Sequence, residues 1–119
     1  MTRERKGYHR SMMWEITFYD EKEAEVIENW PVGIRAALLR VGSRIEKTGP
    51  NIGMPLTRAM GDGLFEIRAK GKEGIGRSLF CTVVGKKVVI ILNSFIKKTQ
   101  KTPQREIEKA RARMKEIKS

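Results

Sequence analysis

The sequence predicts an α+β fold: a helical hairpin packed on one face of a small, mostly antiparallel sheet, followed by a C-terminal helix. Three observations carry this. Behind Pro31, the residues Ile34, Ala37, Leu38, Val41 and Ile45 recur at the i, i+3, i+4, i+7, i+11 spacing of a buried helical stripe, and Gly49-Pro50 ends it. Strand-like runs then follow one another through residues 64–95, separated only by short polar links. Pro103 opens a last helix reaching to about Lys118. The expected order is β-α-α-β-β-β-α.

Each element has a local reason. Trp14 to Tyr19 roughly alternates apolar and polar types and reads as a first strand. Asp20 offers an N-cap oxygen with Glu23 at capping-box spacing, so Asp20 to Trp30 reads as an acidic helix with Ala24, Ile27 and Trp30 inward. Pro31 suits the first turn of the next helix, and so short a junction predicts an antiparallel helix pair. Asn51 to Gly61, punctuated by Gly53 and Pro55, reads as a loop. Leu64 to Ala69 and Ile75 to Val84 are strands across the link 70–74, and Gly85-Lys86 reads as a tight hairpin turn into Lys87 to Phe95. That last strand is apolar on both faces, which marks it as central. In the C-terminal helix, Ile107, Ala110, Met114 and Ile117 line one side, with Arg111, Lys115 and Lys118 on another. With its helices on one face, the sheet is expected to leave the other open to a ligand.

Charge narrows the function classes. The 119 residues hold 25 Lys and Arg against 14 Asp and Glu, a formal net charge of +11. The excess is at the ends: residues 97–119 hold nine basic and three acidic side chains, and residues 1–12 hold four and one. Residues 13–119 are expected to form one domain, preceded by a basic flexible arm at 1–12, for which Met12 or Met13 is an alternative start. Such a balance points to a polyanionic partner. No apolar run approaches the ~20 residues that span a bilayer, and no secretory signal is evident, so the expected setting is cytoplasmic, without a membrane partner.

The chemistry available is narrower still. His9, the single histidine, falls in the arm, which argues against Ser-His-Asp, paired-His and His-rich metal sites. Cys81, the single cysteine, lies in an apolar strand and reads as a small core residue. No glycine-rich loop has phosphate-loop spacing, so neither a cofactor, a metal nor a small-molecule substrate is expected. What remains is the cation cluster Arg68, Arg77, Lys97, Lys98 and Lys101. Arginines in apolar strands are costly unless they reach solvent or a partner, so Arg68 and Arg77 are expected at the open face or its edge; pairing with Glu66 or Glu73 is the competing reading. Converging cations suit phosphate, binding it and stabilising charge on its oxygens during transfer. RNA brings its own nucleophile, the 2′-OH, so phosphodiester transfer needs no metal, and a lysine among like charges can do proton work.

The segments Gly63-Leu64-Phe65-Glu66-Ile67-Arg68, Gly76-Arg77-Ser78-Leu79-Phe80 and Phe95-Ile96-Lys97-Lys98-Thr99-Gln100-Lys101-Thr102-Pro103, in this order, resemble the phage-derived HigB-like branch of the RelE/ParE toxin superfamily. The resemblance covers roughly residues 13–118, and its most specific part is the last segment with the basic helix behind it. It implies a RelE-like fold and a type II toxin, an endoribonuclease that cleaves mRNA on the ribosome and is held inactive by a cognate helix-turn-helix antitoxin. It matches Arg77 to the arginine that contacts the scissile phosphate, Arg68 to a basic residue of the preceding strand, and Lys97 and Lys98 to a strand end carrying another functional cation. The expected catalytic set is Arg68, Arg77 and Lys98, with Lys97, Lys101, Arg111 and Lys115 expected to bind RNA. The chain departs from some relatives in having no evident C-terminal Tyr or His for proton transfer. A gyrase-directed toxin of the ParE kind and a non-enzymatic nucleic-acid-binding module are the alternatives.

Overall fold

Alternation of side chains along the strands gives the sheet two apolar faces, and helices cover both. In the computed structural model, which describes residues 13–97 and 101–119, the elements are β1 (Glu15–Phe18), α1 (Glu21–Glu28), α2 (Val32–Thr48), β2 (Thr57–Gly61), β3 (Leu64–Gly71), β4 (Gly74–Val83), β5 (Val88–Lys97) and α3 (Gln104–Lys118). The strands form one sheet in the order β1-β5-β4-β3-β2, antiparallel throughout except that β1 runs parallel to β5. This is the α+β architecture that the sequence predicts. Among the described residues, no helix is long and apolar enough to cross a membrane.

The first layer is the expected one. Ile34, Ala37, Leu38, Val41 and Ile45 of α2 are all buried, against Ile67, Ala69, Phe80, Val89 and Ile91 of the sheet. Ile27 and Trp30 join them from α1 and the turn after it, whereas Ala24 is only half-buried. The fit of α2 to the sheet depends on two glycines. A Cβ at Gly76 would lie 2.6 Å from the Trp30 ring and 2.7 Å from Ile34, and one at Gly71 would lie 2.5 Å from the Ile34 backbone nitrogen.

Three expectations need correction. The segment 51–61 is not all loop: it contains β2, an edge strand whose polar sequence lacks apolar alternation because only Thr57 is buried. Gly85-Lys86 does not make a two-residue turn; a short 3-10 turn, Val84–Lys86, leads into Lys87 in the left-handed region. Glu23 completes only half of a capping box. Its backbone N–H donates to the Asp20 carboxylate, but its own carboxylate accepts from the Ser94 N–H and pairs with Arg113 at 2.9 Å.

The largest correction concerns the second face, which is not open. Helix α3 packs across it, joining Ala110, Ile107, Met114 and Ile117 to Leu64, Leu79, Cys81 and Leu92. Polar ties fasten the helix along its length. Asn93 donates to Glu106 at 2.8 Å, Arg111 donates to the carbonyls of Met60 and Gly61, Arg113 donates to the Leu92 carbonyl, and the Tyr19 hydroxyl donates to Glu116 at 2.7 Å. The periodicity of this helix makes one side apolar, and it is buried against the sheet face opposite α2.

Candidate functional site

Register brings the two strand arginines together. Arg68 of β3 and Arg77 of β4 are direct cross-strand partners, and Arg77 is in turn opposite Phe95 of β5. One pleat away, Arg58 of β2 is opposite Glu66 of β3. Like charges directly opposite in a sheet repel, so Arg68 and Arg77 need compensation. Glu66 supplies it: its Oε1 accepts from Arg77 Nη1 and from Arg58 Nε, each at 3.1 Å, and its Oε2 accepts from the Thr102 hydroxyl. Arg58, Glu66, Arg68 and Arg77, with Met54 to Thr57, wall a cleft of about 120 Å³.

The arginines therefore differ in kind. Arg77 is 3% exposed and its pairing with Glu66 is the competing sequence reading realised; the open-face expectation does not hold for it. Arg68 is half-buried at the cleft, and no carboxylate pairs with it among the described residues. A buried ion pair is weak evidence for stability, since desolvating both charges offsets most of their attraction. What it does supply is orientation, because the contact to Glu66 fixes where the Arg77 guanidinium sits. Two arginines at the ends of one cross-strand pair, one fixed and one at the cleft mouth, can bind an oxyanion from two directions.

The other expected site residues lie on β5, before α3 and on α3. Lys97 ends β5 opposite Ile75, one pleat period beyond Phe95, and is half-buried. Lys98 lies outside the described residues. Lys101 is exposed just before Thr102, whose side chain is buried in the site. Arg111 is held at the β2–β3 turn by the Met60 and Gly61 carbonyls, and Lys115 is exposed on α3. Glu66, Arg58 and Thr102 are the members that sequence reasoning missed as site residues. The available signal was an acid between an apolar residue and a cation on one strand face, as in Leu64, Glu66 and Arg68.

Cys81 is sealed beneath α3, and burial raises its thiol pKa, consistent with a core residue. Among the described residues, no cluster of three His, Cys, Asp or Glu side chains could hold a metal ion.

Comparison with solved structures gives the fold a context. The chain is similar to a free arginine double mutant of the Escherichia coli toxin RelE, with TM-score 0.62 and 18% identity over 87% of this chain and 99% of that one. It is also similar to the RelE–RelB complex of Pyrococcus horikoshii, with TM-score 0.54 and 17% identity over 71% and 96% of the two chains. A third likeness is the toxin–antitoxin complex RelBE2 of Mycobacterium tuberculosis, with TM-score 0.51 and 19% identity over 74% and 95%. At these identities the likeness speaks for the fold. No curated protein matches the chain significantly. The model of the phage-derived Gp49-like family matches residues 25–115, from within α1 almost to the end of α3 and across the whole Arg58–Glu66–Arg77 site, and the chain belongs to that family.

Proposed function

We propose that this chain is the toxin of a type II toxin–antitoxin pair, of the HigB-like branch, and that it is an endoribonuclease cleaving mRNA on the translating ribosome. The observation that carries the reading is the cross-strand pair Arg68–Arg77 at a small cleft, with Arg77 oriented by Glu66. The net charge of +11 suits RNA, and the RelE-like fold supports the class of chemistry.

In this mechanism the scissile phosphate lies against Arg68 and Arg77. The 2′ oxygen attacks phosphorus as its proton leaves to a base, and the bond to the 5′ oxygen breaks as an acid protonates that oxygen. The products are a 2′,3′-cyclic phosphate and a free 5′-OH. The arginines stabilise the charge that builds on the non-bridging oxygens, which is the largest single contribution such groups make. Lys98 is the proposed proton carrier, and Lys97, Lys101, Arg111 and Lys115 are proposed to hold the RNA around it. Two of the similar structures are toxin–antitoxin complexes, which supports a cognate antitoxin as partner here.

The test is expression of wild type beside Arg68→Ala, Arg77→Ala and Lys98→Ala. Growth arrest with mRNA cleavage is expected for wild type and its loss for the variants. Cleavage that survives all three changes would reject the site. Arrest with DNA damage and intact mRNA would favour the gyrase-directed reading, and RNA binding without arrest would favour a non-enzymatic module.

A further inference from the structure

Arg68 is shared between two cavities. Beyond the cleft with Arg77, it lines a neighbouring cavity of about 390 Å³ together with Ala37, Arg40, Val41 and Arg44 of α2, Lys70 of β3, and Pro55 and Leu56. Pro55, Leu56 and Arg68 wall both spaces, so the two adjoin, with Arg77 lining one and Arg44 the other. The α2 residues here recur at i, i+3, i+4 and i+7, one stripe of the helix in which the buried Ala37 and Val41 alternate with the exposed Arg40 and Arg44. Among the described residues, no carboxylate lines the cavity. The described ion pairs use Arg58, Arg77, Arg105 and Arg113, whereas Arg40, Arg44, Arg68 and Lys70 have no acidic partner among the described residues.

Four cations around one cavity without an acid repel one another, a cost that an anion removes. The apolar floor of Ala37, Val41, Pro55 and Leu56 suits a sugar or base edge between phosphates. An acidic polypeptide could answer the charge, but the direct continuation of this cavity from the Arg68–Arg77 cleft favours a strand whose next phosphates follow the first. We propose that this groove is a second phosphate subsite, in which Arg40 and Arg44, with Lys70, hold the backbone of a single-stranded RNA whose neighbouring phosphate lies at Arg68 and Arg77. The inference rests on the RNA reading above and adds to it a direction for the strand, across α2.

The test separates binding from cleavage by using a 2′-O-methyl RNA nonamer, which has no free 2′-OH to attack. Wild type and the double variant Arg40→Ala/Arg44→Ala are compared by fluorescence anisotropy over a range of salt, with thermal unfolding as the control for folding. Both positions are exposed on a helix, where alanine is well tolerated. The expected result is an affinity loss on the order of tenfold at low salt, with the slope of log K against log salt shallower by about 1.4, roughly 0.7 for each lost phosphate contact. A dinucleotide, whose single phosphate can occupy only one of the two subsites, should bind the two proteins more nearly alike. Unchanged affinity and slope in a folded variant would overturn the subsite, as would failure of the nonamer to bind wild type. So would an unchanged nonamer affinity accompanied by lost binding of a polyglutamate peptide, which would assign the groove to an acidic protein. Binding lost in the variant while wild type cleaves no mRNA would leave the subsite standing and sink the nuclease reading.

Discussion

Glu66 and Arg77 meet at 3.1 Å with 2% and 3% of their side chains open to solvent, although they are diagonal neighbours: the cross-strand partners are Leu79 for Glu66 and Arg68 for Arg77. The diagonal contact orients Arg77, while Arg68 lines the same cleft with no carboxylate paired to it among the described residues. Removing Glu66 takes the carboxylate away from a buried guanidinium. Glu66→Ala should therefore lower unfolding stability by about 3–5 kcal/mol. Arg58, bonded to the same oxygen but 43% exposed, is screened by solvent, and Arg58→Ala should cost only about 0–1 kcal/mol. Urea midpoints of the two variants check this; equal losses would mean that Arg58 and not Arg77 is the anchor of Glu66.

The packing of α2 on the sheet makes a steric prediction. Gly76→Ala places a methyl group 2.6 Å from the Trp30 ring and 2.7 Å from Ile34, both in the core, so one of them must move. Overpacking of this kind costs about 1–3 kcal/mol. Gly71→Ala should be worse, because its nearest neighbours are the Ile34 nitrogen and the Gly33 carbonyl carbon of the helix backbone, which yield less than side chains. Gly85, with nothing within 4 Å, is the control, and its alanine variant should stay within about 0.5 kcal/mol of wild type. Thermal unfolding of the three variants tests the order.

Helix α2 begins at Pro31, which offers no side-chain cap; instead the carboxylate of Glu73, from the β3–β4 turn, accepts the Gly33 N–H at 3.0 Å. That backbone hydrogen bond holds the Glu73 pKa below its ordinary 4.5. A carboxylate whose folded pKa is depressed contributes stability above its unfolded pKa and loses it as pH falls through the folded pKa. The stability difference between wild type and Glu73→Gln should be full near neutrality and shrink below pH 4.5. Urea unfolding of both proteins across that range is the measurement, and a difference independent of pH would show that the ionised cap contributes nothing.

Much of this was legible in the chain, and what was not has identifiable causes. The α2 stripe, the helix boundaries at Asp20 and Gly49, and the meeting of Arg68 with Arg77 all follow from periodicity and hairpin order. Strand β2 was illegible because an edge strand with a single buried residue has no alternation to read. The destination of α3 was also hidden: Ile107, Ala110 and Met114 announce an apolar side, but nothing local says which sheet face it covers. The site was half-legible for the same reason. Glu66 lies eleven residues from Arg77, and only the sheet register turns that separation into a contact. Thr102 explains part of the Lys101-Thr102-Pro103 motif, since its hydroxyl closes the second oxygen of Glu66 just before Pro103 starts α3.

Helix α3 covers a cysteine, which makes its docking measurable. Cys81 is fully buried under Ala110 and its neighbours, and burial raises its pKa, so little thiolate exists near neutrality and reagent access requires the helix to open. Arg113 is the strongest visible fastening: its Nη1 lies 2.9 Å from Glu23 and 2.6 Å from the Leu92 carbonyl, and its guanidinium stacks 4.4 Å from the centre of the Tyr19 ring. Hydrogen bonds to a charged group are worth about 1.5–3 kcal/mol each. Losing even one at the low end should raise the open population roughly tenfold. Arg113→Ala should therefore speed labelling of Cys81 by a disulfide reagent about tenfold or more, while Tyr19→Phe, which removes only the exposed bond to Glu116, should change it far less. Rapid labelling of Cys81 in the wild type would mean that α3 does not seal this face, and equal rates in the two variants would mean that Arg113 does not hold it there.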